Sequence, residues 1–294
     1  MLGALLLCVA AAVGYNAGAV LQSSGAYGSG DERLMQPSLF LPLLRVRSWV
    51  TGVVLNLAGW GFQVWGLTVA SLTFVQPALG TGVLFLLGFA WLVLGQRPTP
   101  RDLLSALALA SGIGVLSRVA PAAHTGTGAL VRWIAAGVVL AVFALAPLVL
   151  RMFRRVPGPL WLAVSVGFAF ALTGLSSEVV SRAIHRHDVA LLAGAVGVTA
   201  LFGFVGFLSE TSALVTGNVT AVVAAMTAVD TVIPVALAPF LFGEHWPHSP
   251  ARITLLAAGL ILAIGGAVSL AASPRVTQTR TSPDAATQSA ATGR

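Results

Sequence analysis

Residues 216–241 read TGNVTAVVAAMTAVDTVIPVALAPFL, an apolar run long enough to cross a bilayer as one helix. Asp230 is the single charged residue in this run and lies about 14 residues from its start, or about 21 Å along a helix axis. An Asp at the centre of a membrane helix costs about 2.5–3.5 kcal/mol on insertion scales. Pro234 follows one turn later and leaves a backbone carbonyl near Asp230 without its helical donor. The run therefore predicts a membrane helix with a polar site at mid-depth.

Asp230 has two candidate roles. It binds a cation, a proton or a cationic group of a substrate, or it is protonated, bonds to a neighbouring helix and only stabilises the bundle. Acids inside a membrane are functional by default, which favours the first role.

The composition of the whole chain excludes most soluble classes. Of the 294 residues, 57% are hydrophobic and 9% are charged, whereas soluble domains carry about 25% charged residues. At about 20 residues per crossing, nine or ten spans fit and no soluble domain does. The net charge of +7 would suggest nucleic acid in a soluble protein, but the arginines lie in small groups between apolar runs. We therefore expect a lipid bilayer, and no nucleic acid, as the partner.

Nine apolar runs are predicted to be membrane helices. They are residues 2–22, 49–67, 69–94, 102–119, 130–150, 159–180, 189–209, 216–241 and 251–272. Residues 34–44 are apolar but short and contain two prolines, so we expect a re-entrant or interfacial piece there, with a shortened tenth helix as the alternative.

The predicted fold class is all-α integral membrane, with nine or ten transmembrane helices. One membrane domain covers residues 1–272, with halves at 1–119 and 130–272. Residues 273–294 are rich in Ser, Thr, Ala and Gln and are predicted to be a disordered cytoplasmic tail.

The arginines predict the orientation. The odd-numbered connections and the tail hold 11 arginines, and the even-numbered connections hold 5. Because cytoplasmic loops are enriched in basic residues, we expect the N-terminus outside and the C-terminus in the cytoplasm. The chain contains arginine and no lysine, which is typical of a GC-rich genome, and we expect a bacterial cytoplasmic membrane.

Two stretches half a chain apart are similar. Residues 61–67 (GFQVWGL) correspond to 206–214 (GFLSETSAL), and each stretch leads through a proline-containing run to Gly-Gln at 95–96 or Gly-Glu at 243–244. The offset is about 147 residues and places Gln63 opposite Glu210. Matched spans are five apart and so cross the membrane in opposite directions. This predicts an inverted-topology repeat, as in many secondary transporters, with chance similarity of apolar helices as the alternative.

Interruptions at corresponding positions of two inverted halves mark midplane binding sites in transporters. Gln76 and Pro77 interrupt the third predicted span, and Asp230 and Pro234 interrupt the eighth. The candidate substrate or ion site comprises Asp230, Gln76, Glu210, Gln63, Pro77 and Pro234. A plainer interpretation of Glu210 is a solvated residue at the cytoplasmic end of its helix.

Acidic residues and histidines also occur in the predicted external connections. An outer vestibule that collects metal or senses pH would comprise Glu178, His185, His187, Asp188 and Glu244. Solvated loop residues are the plainer interpretation, because fixed metal-ligand spacing is lacking, and the metal stays unassigned. Glu178 and Arg182 are also spaced for an ion pair along a helix.

Several short motifs resemble the drug/metabolite transporter superfamily, the EamA-like transporters. They are FVQPALG at 74–80, LGQR at 94–97 before SGIG at 111–114, and LFGE at 241–244 before the glycine-rich 259–266. The segments AVLQ at 19–22 and LLRVRSW at 43–49 resemble the branch of the NIPA-type magnesium transporters. The resemblance implies ten helices in two inverted halves and alternating access. Here the first half lacks or shortens its second helix, and Gln96 stands where the family often has Glu.

The sequence contains no P-loop, no Gly-x-Ser-x-Gly elbow, no His-Glu-x-x-His and no EF-hand loop. We therefore expect no enzyme, no cofactor and no ATP-driven pump. The resemblance implies secondary transport of a small organic solute, with a divalent cation such as Mg²⁺ as the alternative substrate. A non-transporting membrane subunit or a membrane-embedded lipid enzyme stays open as a different class, and a homodimer stays open as the assembly.

Overall fold

The computed structural model describes residues 2–26, 33–70, 75, 78–119, 130–155, 157–242 and 249–272. Within these ranges the chain is helical and contains no strand. The helices are α1 (Leu2–Ala26), α2 (Phe40–Leu43), α3 (Arg47–Val69), α4 (Val83–Leu94), α5 (Pro100–Val119), α6 (Leu130–Met152), α7 (Pro159–Arg186), α8 (Val189–Thr216), α9 (Val219–Phe242) and α10 (Pro250–Ala271).

Six of these helices are long and apolar enough to cross a membrane, namely α1, α3, α6, α7, α8 and α10. Many large apolar side chains face outward from the bundle, among them Leu92 at 77%, Val131 at 74% and Ile261 at 71% exposure. Soluble proteins rarely expose extended apolar surface, and lipid tails would cover it here. The protein is therefore an all-α, multi-pass membrane protein.

The third predicted span differs most from the structure. The sequence predicts one helix over 69–94, but α3 ends at Val69 and α4 begins at Val83. Among the described residues between them, 75 and 78–80 are helical, and a turn at 81–82 precedes α4. A Cβ atom at Gly82 would clash with the Leu79 carbonyl and the Asn16 side chain of α1, so the turn needs glycine there. The expected interruption at Gln76 and Pro77 lies outside the described residues.

Residues 33–46 form a compact connection between α1 and α3. Its helix α2 has four residues, about 6 Å in length, and is preceded by a 3-10 turn at Pro37–Leu39. Phe40 stacks on Phe207 of α8 with ring centroids 5.4 Å apart, and the Met35 N–H donates to Ser212 Oγ at 2.9 Å. The connection thus packs on α8, and its four-residue helix is too short to span a membrane as a tenth helix.

Three helix pairs pack over much of their length: α1 with α3, α7 with α8, and α5 with α10. Ser105 near the start of α5 donates to Ser269 near the end of α10 at 2.7 Å, so these two helices run antiparallel. A Cβ atom at Gly112 would meet the backbone of Gly259 and Ala263. Small residues at such crossings let membrane helices approach closely.

The α5–α10 crossing is reciprocal. Gly112 and Gly259 are 147 residues apart, and so are Leu116 and Ala263. A Cβ atom at Gly112 would meet Ala263, and one at Gly259 would meet Leu116. Each contact is the counterpart of the other under the 147-residue offset, so the two antiparallel helices cross at corresponding residues.

Candidate substrate site

A cavity of about 440 Å³ lies between α1, α3, α7, α8 and α9. Its volume falls in the range of small-molecule sites. Helix α3 contributes Val53, Asn56, Leu57, Trp60 and Gln63. Each of these positions has another three or four residues away, so one continuous face of α3 lines the cavity.

Two carboxyl groups lie in this cavity, Glu210 on α8 and Asp230 in the middle of α9. Glu210 is only 2% exposed. Glu210 Oε2 and Asp230 Oδ1 are buried and have no hydrogen-bond partner among the residues that the structure describes. A buried carboxylate without a partner is costly, so a ligand that brings hydrogen-bond donors or a positive charge would be stabilised here.

Neutral polar groups complete the polar part of the cavity. The Tyr15 hydroxyl of α1 donates to Gln63 Oε1 of α3 at 2.5 Å and joins the two helices across the lining. Asn16 Nδ2 donates within its own helix to the Ala12 carbonyl at 2.8 Å. Thr227 and Thr231 on α9 line the cavity on either side of Asp230. Asn56 of α3, Thr173 of α7 and Thr199 of α8 also line it, so every one of these five helices contributes a polar side chain.

Aromatic side chains form much of the remaining wall, notably Trp60, Phe170, Phe204 and Phe207. The Trp60 indole N–H donates to Ser177 Oγ at 3.3 Å, which fixes the ring between α3 and α7. No arginine or histidine belongs to the described lining. Aromatic faces attract cations, so the wall and the carboxyl groups favour the same kind of ligand.

The two walls of the cavity are related by the 147-residue offset. Every lining residue of α3 has a counterpart 147 residues later that also lines the cavity. The pairs are Val53 with Ala200, Asn56 with Gly203, Leu57 with Phe204, Trp60 with Phe207, and Gln63 with Glu210; Leu79 with Met226 and Gly80 with Thr227 follow the same rule. The offset seen in the sequence thus matches the two walls residue by residue.

The structure brings together three of the predicted site residues, because Gln63, Glu210 and Asp230 line one cavity. Pro234 is buried one turn further along α9 and does not line it. Gln76 and Pro77 lie outside the described residues. The interpretation of Glu210 as a solvated residue at a helix end is wrong, because α8 continues to Thr216 and buries Glu210 against neighbouring helices.

The four predicted vestibule residues that the structure describes make local contacts instead of gathering around a common point. Arg182 Nε pairs with Glu178 Oε1 at 2.9 Å within α7, as their spacing predicts. His185 Nδ1 lies 2.9 Å from the carbonyl oxygen of Ser181 in the same helix. Both contacts are between residues four apart and connect no second helix.

The α7–α8 corner holds the next two vestibule residues. His187 ends α7 in the left-handed region at φ 54°, and Asp188 Oδ1 accepts from the Leu191 N–H at 3.0 Å as the N-cap of α8. Glu244 lies outside the described residues. In the described part of the chain, no three potential metal-ligating side chains come together.

Tyr15 and Trp60 also line the cavity, although they are not among the residues predicted from the sequence. Trp60 could have been found, since it lies three residues before Gln63 on the same helix face and 147 residues before Phe207. Tyr15 carries no such local pattern, because its contact with Gln63 joins residues on two separate helices.

Comparison with protein-family models, with curated proteins and with solved structures finds no match for this chain. The chemistry of the cavity and the relation between its two walls are therefore the evidence for function.

Proposed function

We propose that this protein is a secondary transporter of the drug/metabolite type, which moves a small organic solute with a positive charge across the cytoplasmic membrane of a bacterium. The observation that carries the proposal is the pair Glu210 and Asp230, each with a buried oxygen that lacks a partner among the described residues, in one cavity of a membrane protein. A cationic group provides the partner that each carboxylate lacks, and the aromatic wall packs against the rest of the solute.

Alternating access is the proposed mechanism. Two inverted halves related by a two-fold axis in the membrane plane can rock to open either side of a central site. The reciprocal crossing of Gly112 and Gly259 and the paired cavity walls support this arrangement. The proposal includes nine spanning helices, the N-terminus outside and the C-terminus in the cytoplasm, because arginines are enriched in the connections assigned to the cytoplasm.

An organic cation is favoured over Mg²⁺ by the walls of the cavity. Mg²⁺ keeps several water molecules and is bound through one or two carboxylates. Glu210 and Asp230 meet that number, but a hydrated ion gains little from Trp60, Phe170 and the other aromatic rings. An organic body buries apolar surface against the same rings.

Tracer flux in proteoliposomes tests the proposal, with radiolabelled organic amines in one series and Co²⁺ as a Mg²⁺ mimic in another. We expect saturable flux of an organic amine, and loss of that flux in Asp230→Asn, which keeps the shape of the side chain. The matched control is Glu178→Gln, which removes a carboxylate outside the cavity and should retain flux.

Two results would contradict this proposal. Equal amine flux in wild type and folded Asp230→Asn would remove Asp230 from the mechanism. The second result is that wild type transports Co²⁺ but no amine, and that Asp230→Asn loses the Co²⁺ flux. The substrate would then be a divalent cation and not an organic solute.

A further inference from the structure

Polar and apolar groups occupy different parts of the cavity. Gln63 at 7% and Glu210 at 2% exposure lie deep in it. The most exposed lining residues are all apolar, whereas the polar ones are buried or half-buried. They are Leu57 of α3 at 63% exposure, and Val196 at 43%, Phe204 at 47% and Ala200 of α8. We call these four residues the rim.

The rim lies between α3 and α8. Helix α3 packs chiefly on α1, and α8 packs chiefly on α7; the pair α3–α8 is not among the helix pairs with extensive contact in the described residues. The two helices are also the equivalent, 147-residue-related walls of the cavity. Near the start of α3, Trp49 packs on Phe207 of α8 with ring centroids 5.8 Å apart, and Phe40 of α2 packs on Phe204 at 6.0 Å. Leu57 lies eight residues further along α3 and is 63% exposed, so beyond these contacts the cavity reaches the outside of the bundle at the rim.

The rim lies at the depth of the lipid tails. Leu57 is ten residues from the start of the 23-residue α3, and Phe204 is fifteen residues from the start of the 28-residue α8. At 1.5 Å per residue these side chains lie about 15 and 22 Å along their helices, far from either end. An opening at this depth meets hydrocarbon and not water.

We infer that the solute is an amphiphilic amine, whose cationic head binds Glu210 and Asp230 and whose alkyl tail extends between Leu57 and Phe204 into the bilayer. This inference rests on the proposed function. The head needs the carboxyl groups because an unpaired charge is costly at that depth. The tail needs no polar partner, and the rim offers none. The arrangement also gives the solute a path into the site from within the membrane.

The test compares primary alkylammonium ions with tails from ethyl to decyl, by calorimetric titration of the protein in lipid nanodiscs. Empty nanodiscs measure partition into lipid, which is subtracted. The affinity should rise by up to about fourfold for each methylene that the rim buries. Asp230→Asn should weaken binding of the whole series, because all members share the head.

Two tryptophan substitutions locate the tail. Ala200→Trp places a large side chain in the rim, and the ratio of decyl to ethyl affinity should fall at least tenfold. Ala135→Trp on α6 adds the same side chain at an exposed position outside the cavity and should keep the wild-type ratio.

The outcomes separate the two proposals. Binding of the ethyl ion that depends on Asp230, without a tail-length effect, would overturn the amphiphile and leave the transporter proposal standing. A tail-length effect that persists unchanged in Ala200→Trp would place the tail elsewhere and also overturn the inference. No binding of any member to folded wild type would contradict both proposals.

Discussion

Gln63 of α3 and Glu210 of α8 are 147 residues apart, line the same cavity, and differ only in the amide that one carries in place of the acid. The position 147 residues before Asp230 is Val83, a buried apolar residue. Both carboxyl groups thus belong to the second half of the chain, and the first half contributes neutral counterparts. The α3 and α8 walls of the cavity are therefore lined at corresponding positions but carry unequal charge.

Exchanging the charge between the two halves tests whether these positions are equivalent. Glu210→Gln should lower the affinity for an organic cation by about tenfold or more, since a hydrogen bond to a charged group contributes about 1.5–3 kcal/mol. Adding Gln63→Glu should restore much of the lost affinity, because the carboxylate returns to the same cavity. Calorimetric titration of the three proteins measures this. A double variant that binds no better than Glu210→Gln would show that the two positions are not interchangeable.

The α5–α10 crossing predicts unequal effects of one substitution at two neighbouring glycines. Gly112→Ala should destabilise the protein by about 1–3 kcal/mol, because the new methyl group meets the backbone of Gly259 and Ala263. Gly114→Ala lies two residues further on the same helix, has open space around it, and should be neutral or stabilising by up to about 1 kcal/mol. Unfolding in mixed detergent micelles measures both, and equal effects would contradict the close crossing.

Gln22 of α1 is predicted to reduce the stability of the observed conformation. It is fully buried beside Gly52 of α3, and neither its Oε1 nor its Nε2 has a hydrogen-bond partner among the described residues. Gln22→Leu should raise the free energy of unfolding by about 1–3 kcal/mol, because it removes the desolvation cost of both atoms. Ser24→Ala, at an exposed position of the same helix, should have almost no effect.

The rate of solute flux through Gln22→Leu in proteoliposomes is a second measurement of the role of Gln22. If the Gln22 amide is hydrated in the conformation that opens the cavity to the other side of the membrane, Gln22→Leu should disfavour that conformation. The variant should then be more stable than wild type and should transport more slowly. A variant that is less stable than wild type would show that the amide has a partner in the folded protein.

Local patterns in the sequence predicted much of the fold. The ion pair of Glu178 and Arg182 follows from i, i+4 spacing, and most helices follow from apolar runs bounded by charges and prolines. The repeat predicted that Gln63 and Glu210 would be counterparts. The turn before α4 was missed because it depends on the close approach of Gly82 to Asn16, a contact between distant parts of the chain.

The site was predictable only where one residue stands out from its own surroundings. Asp230 did so, since it is the single charge in an apolar run. Tyr15 and Phe170 look like ordinary core residues in the sequence, and only the packing of α1 and α7 around the cavity distinguishes them. The described members of the predicted vestibule have local roles instead: His187 ends α7, and Asp188 caps the start of α8.

The orientation predicted from the arginines is tested with single cysteines. Cys8 is the one native cysteine and is buried, so Cys8→Ala provides a background without a reactive thiol. His187→Cys lies in the exposed α7–α8 corner, which is predicted to be outside, and Gly158→Cys lies in the exposed connection before α7, which is predicted to be cytoplasmic. A membrane-impermeant maleimide applied to intact cells should label position 187 and spare position 158, and both should react after lysis.

Since α7 separates the two positions by its 28 residues, it must span the membrane if they label from opposite sides. Labelling of position 158 alone in intact cells would invert the whole topology, and labelling of both would remove α7 from the set of spanning helices.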